Sequence, residues 1–229
     1  TKLGFPPDGL GKFQHAIHLP FGMILVTGPT GSGKTTTLYS ALSSLNTPDI
    51  NIMTSEDPVE FNLTGINQVQ MHNQIGLNFA AALRSFLRQD PDVILVGEIR
   101  DKETGDIAIK AALTGHLVFA TLHTNDAPST ITRIIDMGIP PFMAATSIKL
   151  IMAQRLIRTV CAACKKPTKV EPDMLEYLGM TAEEASKYTF YEGAGCDICN
   201  GGGYKGRRAL FEIMPITRVM EKMILEGAS

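Results

Sequence analysis

A glycine-rich run set between an apolar segment and a helix-forming one limits this chain to few architectures. The run is Gly28-Pro29-Thr30-Gly31-Ser32-Gly33-Lys34-Thr35, preceded by Met23–Val26 and followed by Thr35–Leu45. Glycines at this spacing let the backbone curl until successive N–H groups point inward at phosphate oxygens, and the helix N-terminus behind them adds positive potential. A lysine and a threonine at the helix start complete the set: Lys34 reaches the β and γ phosphates, and the Thr35 hydroxyl holds magnesium. Gly28, Pro29, Thr30, Gly31, Ser32, Gly33, Lys34, Thr35 and Thr36 are therefore the expected nucleotide-binding residues. A glycine-rich turn with a surface lysine is the bland alternative, and the flanking strand and helix signals argue against it.

The rest of the chain agrees with that start. Short apolar runs at Asn51–Thr54, Val93–Val96 and Leu117–Leu122 alternate with helical patterns at Phe79–Leu87 and Glu103–Leu113. Such alternation predicts an α/β fold with a parallel-dominated sheet flanked by helices. Looser alternation between Phe61 and Met71 predicts a small antiparallel extension. Asn125 or Asp126 ahead of Pro128 announces another helix, which Gly138 stops. After Pro140-Pro141 a long amphipathic stretch runs to about Ile157. The expected organisation is a lead-in or linker over 1–20, an NTPase core over 21–157, a cysteine-bearing lobe over 158–207, and a C-terminal strand and helix over 208–229 packing on the core. Within the lobe, Thr181 and Glu184 have the form of a capping box. Because the chain starts at threonine close to a nucleotide motif, it is expected to be part of something longer.

Bulk properties narrow the function. A net charge of -2 offers no basic footprint for a phosphate backbone, so nucleic acid is not the expected partner. No apolar run approaches the roughly 20 residues of a membrane-spanning helix, and a soluble, cytoplasmic protein is expected.

Two acidic boxes follow apolar runs. Val93–Val96 delivers Gly97-Glu98 to the carboxyl end of a strand, where ligands of open α/β sheets bind. Aspartate is usual at the position of Gly97 in phosphate-loop enzymes, so Glu98 must either aim the attacking water or hold magnesium through a water. Ser55-Glu56-Asp57-Pro58-Val59-Glu60 can supply a second carboxylate. Glu98 is expected to aim the water and Glu56 to reach the magnesium shell through a water, since magnesium needs only one or two protein carboxylates. Solvated turn residues are the alternative, more so for Asp57 and Glu60 than for Glu56. His116 and His123 bracket Leu117–Leu122, and His123, at the carboxyl end, is the candidate for sensing the γ-phosphate. Arg84 and Arg88 lie four apart on the expected helix Phe79–Leu87, so both project from one face as candidate arginine fingers. Arg100 and Arg133 are weaker candidates.

All four cysteines fall in two C-x-x-C pairs, Cys161/Cys164 and Cys196/Cys199. In an intracellular protein this arithmetic favours a structural zinc site with a closed tetrahedron of thiolates. The insertion between the pairs is longer than usual for a zinc ribbon, and two redox dithiols are the rival reading.

Taken together, the phosphate loop followed by Thr36-Thr37-Leu38-Tyr39, the box Glu56-Asp57-Pro58-Val59-Glu60, the run Leu95-Val96-Gly97-Glu98-Ile99-Arg100-Asp101 and the box Gly115–His123 resemble the secretion superfamily ATPases. That group comprises the type II secretion and type IV pilus assembly ATPases, and the chain is most similar to its pilus-extension branch. The resemblance implies a RecA-like core, a homo-oligomer in the form of a hexameric ring, and a nucleotide near subunit boundaries with arginines contributed beside or across them. Lys34, Thr35, Glu98, Glu56, His123, Arg84 and Arg88 inherit nucleotide-site roles by resemblance, with ATP, Mg2+ and Zn2+ as the cofactors. It also implies an N-terminal domain that brings further arginines, and an inner-membrane platform protein as partner, approached from the cytoplasmic side. The tetracysteine lobe resembles the assembly and secretion branch, because retraction motors lack it. A type II secretion ATPase, a nucleic-acid-translocating ATPase and a nucleotide-gated assembly module without turnover are the competing readings.

Overall fold

The computed structural model describes residues 4–227, so the outermost parts of the expected lead-in and C-terminal segments, residues 1–3 and 228–229, lie outside it. In chain order its elements are α1 (Pro7–Ile17), β1 (Gly22–Thr27), α2 (Lys34–Leu45), β2 (Ile52–Glu56), β3 (Asn67–Gln70), α3 (Phe79–Phe86), β4 (Val93–Val96), α4 (Lys102–Leu113), β5 (Leu117–Leu122), α5 (Ala127–Asp136), α6 (Pro141–Ser147), β6 (Ile148–Val160), β7 (Lys165–Thr168), α7 (Pro172–Tyr177), α8 (Ala182–Ala185), β8 (Phe190–Gly193), β9 (Tyr204–Pro215) and α9 (Arg218–Glu226).

A seven-stranded sheet in the order β3-β2-β4-β5-β1-β6-β9 carries the fold. Strands β1, β4 and β5 are buried at every position, as strands covered on both faces must be. Their side chains alternate between two cores. Met23 and Leu25 of β1 face a cluster with Leu83, Phe86, Ile109 and Ile134, while Ile24 and Val26 face one with Phe13, Leu38, Leu42 and Phe119. All pairings among β1 to β6 are parallel, and the register sets Thr27 beside Leu122, Val96 beside Ala120 and Ser55 beside Val96.

Residues 7–17, read as a lead-in helix or linker, form a helix that buries Phe13, Ala16 and Ile17 in the core. Phe5 ahead of it stacks on Phe211 with ring centroids 3.9 Å apart. Two expectations change. The segment between Phe61 and Met71 contributes β3, which pairs parallel to β2 and not antiparallel. Alternation identified a strand but carries no direction, and with no tight turn after Glu56 the intervening loop returns the chain to the same end of the sheet. The amphipathic stretch after Pro140-Pro141 divides into α6 and the long β6, whose apolar run Ile148–Ala153 inserts beside β1. A short apolar run does not separate helix from strand by periodicity.

Helix ends follow their caps. Asp126 accepts from Ser129 N at 2.7 Å, and Gly138 has φ 89° just after α5. Thr181 and Glu184 make both halves of a capping box on α8. The chain divides into two compact units, with Leu156–Arg208 as the second and the residues before and after it as the first. Within the second unit β7 and β8 pair antiparallel, from Lys165 with Gly193 to Thr168 with Phe190. Among the described residues no helix is long and apolar enough to cross a membrane.

Gly97 explains the missing aspartate of the box after β4. A Cβ there would lie 2.9 Å from the Ser55 carbonyl oxygen and 3.3 Å from Glu56 Cα, because β2 and β4 run close together at this point. Gly97→Ala is expected to lose about 1–3 kcal/mol of stability, the usual cost of overpacking a rigid backbone contact, as read by urea denaturation.

Candidate active site

Four carboxyl ends of parallel strands lie level, and the glycine loop, Glu56, Glu98 and His123 stand at them. The glycine loop follows β1, Glu56 ends β2, Glu98 comes two residues after β4, and His123 comes one after β5. The loop can curl only because of its glycines. Gly28 has φ 141°, and a Cβ on it would sit 2.3 Å from the Gln154 carbonyl oxygen. Gly33, in the left-handed region at φ 89°, caps α2, whose first turn holds no acidic residue to offset its positive end. Pro29, Thr30, Gly31 and Thr36 are exposed around the cradle, while Thr35 is half-buried in the first turn. Lys34 Nζ donates to the loop's own carbonyls, 2.8 Å from Gly28 O and 3.1 Å from Pro29 O. Burial pushes its pKa down, and the field of Glu98 partly opposes that. The Ser32 hydroxyl is buried without a hydrogen-bond partner. An orphaned buried hydroxyl in a glycine loop that opens a helix N-terminus is a group that an oxyanion would satisfy.

Glu98 is the centre of the charged cluster. Its Oε2 accepts from Arg100 Nε at 2.5 Å, and its Oε1 lies 2.9 Å from His123 Nε2, which requires the proton on that nitrogen. Arg100 also reaches Asp57 at 3.5 Å and lies 5.8 Å from the centroid of the Phe79 ring. The hydrogen bond to Glu98 holds the guanidinium more firmly protonated than usual. Glu56 sits in a different environment. It is buried, with Oε1 accepting from Thr54 Oγ1 at 2.6 Å and Gln68 Nε2 at 3.1 Å, and Oε2 accepting from the Tyr39 hydroxyl. Burial first, and then this hydrogen bond, pushes the Tyr39 phenol up. Three donors leave the carboxylate little capacity beyond one further water.

The two arginines expected as fingers stand elsewhere. Helix α3 ends at Phe86, so Arg88 lies past its cap, donating from Nη1 to Arg84 O at 3.0 Å, and not on a shared helix face. Arg84 pairs with Glu103, and both side chains are about half exposed. Among the described hydrogen bonds and ion pairs, none joins Arg84 or Arg88 to Glu98 or to the glycine loop. Arg100 is the arginine that the fold brings to Glu98. His116 Nδ1 lies 3.0 Å from Ala111 O and caps the end of α4.

In the second unit the four cysteines converge. Their sulfurs lie within 4.8 Å of one another, with 3.9 Å between Cys161 and Cys196, 3.8 Å between Cys164 and Cys199, and 3.7 Å between Cys196 and Cys199. These gaps are far from the ~2.05 Å of a disulfide, whereas a tetrahedron of ~2.3 Å metal–sulfur bonds has edges of about 3.8 Å. Glycine permits the approach, since a Cβ on Gly193 would lie 1.9 Å from Gly203 O. Burial raises the Cys199 thiol pKa, but the amides of Cys196 and Gly203 and the neighbouring sulfurs outweigh it and bring the thiol down to about 7. Cys164 is pushed the other way, first by burial and then by its thiol neighbours.

The sequence profile of the family described as "Type II/IV secretion system protein" matches residues 1–229. The chain belongs to that family. A type IV pilus assembly ATPase PilB of Myxococcus xanthus is 60% identical over all of this chain and 41% of its own length. A type II secretion system protein E of Dickeya dadantii is 48% identical over 99% of the chain and 45% of its own length. This chain spans less than half the length of the curated relatives it matches, from 26% to 47%. Among solved structures, the pilus retraction motor PilT with bound ADP aligns with 99% of the chain and 55% of its own, at 33% identity and a TM-score of 0.71.

Sequence reading of this secretion-system domain missed the supports beneath its site. Thr27 Oγ1 donates toward Leu122 O and Thr124 O at 3.0 Å and accepts from Thr124 N at 2.8 Å, and Thr124 Oγ1 lies 2.6 Å from Thr130 Oγ1. This hydroxyl chain fastens the His123 loop to β1. Buried Gln154 accepts from Thr37 Oγ1 at 2.9 Å and braces the start of α2. The available signal was a polar residue closing a short apolar run, Met23–Val26 before Thr27 and Leu150–Ala153 before Gln154. Thr27→Val is expected to cost about 1–3 kcal/mol, because it strands the half-buried Thr124 amide and removes a donor, measured as a shift in the urea midpoint at unchanged slope.

Proposed function

We propose that this domain binds ATP at the loop Gly28–Thr36 and hydrolyses it as the engine of a type IV pilus assembly machine. The observation that carries the reading is Glu98: a carboxylate aligned by Arg100 and His123 at the same end of the parallel sheet as a phosphate-type cradle. Lys34 exchanges its bonds to Gly28 O and Pro29 O for phosphate oxygens, Ser32 supplies its unused hydroxyl, and the α2 N-terminus balances negative charge. Glu98 aims water at the γ-phosphate, and His123 reports the presence of that group through Glu98. Thr35 would hold magnesium, with Glu56 acting through a water; the ion supplies charge neutralisation between the phosphates. Arg84 and Arg88, exposed and joined to Glu98 by none of the described hydrogen bonds or ion pairs, act from a neighbouring copy in a hexameric ring, with Arg100 acting within the chain. The 60% identity to a pilus assembly ATPase, against 48% for a type II secretion protein, supports the pilus branch. The proposed setting is the cytoplasmic face of the inner membrane, on a platform protein that drives pilin polymerisation.

Glu98→Gln is expected to lower steady-state phosphate release by about 10²–10⁴-fold, the range for losing a positioned acid–base group, while a fluorescent ATP analogue binds as tightly as before. Equal turnover in the variant would sink the assignment. Lys34→Ala should abolish binding itself.

We further propose that Cys161, Cys164, Cys196 and Cys199 hold a structural zinc ion. Four thiolates close the coordination shell, so the ion supplies folding energy and no chemistry, on the order of 10 kcal/mol in small zinc domains. Chelation at neutral pH is expected to release zinc and to speed amide exchange in Leu156–Arg208 while β1, β4 and β5 stay protected. Metal analysis that finds no zinc in freshly purified protein would remove this assignment.

A further inference from the structure

The Glu56 carboxylate is buried, only 4% exposed, and so depends on its donors for any fixed orientation. One of them comes from the helix that carries the phosphate loop. Tyr39, 2% exposed in the second turn of α2, donates its hydroxyl to Glu56 Oε2. Gln68 of β3 donates to both partners, at 3.2 Å to the Tyr39 oxygen and 3.1 Å to Glu56 Oε1. The amide of Gln68 is itself fixed, since its Oε1 accepts from Leu63 N at 2.6 Å and its Nε2 lies 3.2 Å from Phe61 O. The Phe61 ring meets the Tyr39 ring edge-on at 4.8 Å.

We infer that Tyr39 is a positioning residue: its buried hydroxyl, braced by Gln68, fixes the Glu56 carboxylate and ties helix α2 to the loop 57–66. Two ends of the site are thereby joined by side chains alone. Helix α2 answers to phosphate at its N-terminus, and the loop bears Asp57, the partner of Arg100. A shift of α2 is passed to Glu56 through one hydroxyl and to the loop through one amide. Phenylalanine in place of Tyr39 keeps the ring packing and removes only that link. The inference rests on the reading that Glu56 acts on the magnesium shell.

The test is steady-state phosphate release by the purified protein, titrated separately with ATP and with magnesium, for Tyr39→Phe and Glu56→Gln. Tyr39→Phe is expected to lower kcat about tenfold, the scale of a mispositioned group, and to raise severalfold the magnesium needed for half-activation, with nucleotide affinity in EDTA unchanged. Adding Tyr39→Phe to Glu56→Gln should slow the enzyme no further, since both act through one carboxylate. Parental kcat and magnesium dependence in Tyr39→Phe, with Glu56→Gln impaired, overturns the role of Tyr39 alone. Parental behaviour in Glu56→Gln removes the magnesium-shell reading and this inference with it. A lower melting temperature in Tyr39→Phe with unchanged magnesium dependence marks the hydroxyl as structural and also overturns it. Should Tyr39→Phe not fold, Gln68→Met, which removes the bracing amide and leaves Tyr39 intact, must show the same magnesium shift.

Discussion

The parallel register of β2, β4, β5 and β1 is the constraint on which the rest of the structure depends. It sets the carboxyl ends of these strands level, with Ser55 beside Val96, Val96 beside Ala120 and Thr27 beside Leu122. From those ends the chain projects Glu56, Glu98, His123 and the glycine loop to one side. A slip of one residue would turn each side chain to the opposite face. Full burial of β1, β4 and β5 prevents such a slip, since it would exchange the occupants of the two cores.

Within that frame the site holds its charges against one another. Lys34 folds onto the carbonyls of its own loop, and Glu98 is shared between Arg100 and His123. Bonds of this kind are modest in net free energy, because each replaces bonds to water. A polyphosphate, offering several charged acceptors to Lys34, Ser32 and the α2 amides at once, competes with them easily. Glu56 is different in kind. Its three internal donors and its burial make it a fixed point between α2, β2 and β3.

Much of this was legible in the chain. The glycine loop announced itself through residues that only one backbone conformation can use, and Gly28 and Gly33 have the positive φ values that conformation demands. Val93–Val96 and Leu117–Leu122 were readable as strands because buried parallel strands are continuous apolar runs. The paired C-x-x-C motifs foretold a cluster because ligand spacing is a local property. Strand direction after Phe61 and the division of the segment after Pro140 were not legible. Each depends on which neighbour a segment finds, and alternation reports burial without naming the partner.

The sequence alone determined the local chemistry: which backbone turns are possible, which faces are apolar, and which groups can ionise or ligate. The tertiary structure decided the partnerships. It gave Glu98 to Arg100 and His123 rather than to Arg84 or Arg88, made Gly97 a contact between strands, and placed Tyr39 against Glu56. The reason is physical: conformational preference acts over a few bonds and is written residue by residue, whereas a hydrogen bond between distant segments exists only once packing has fixed both.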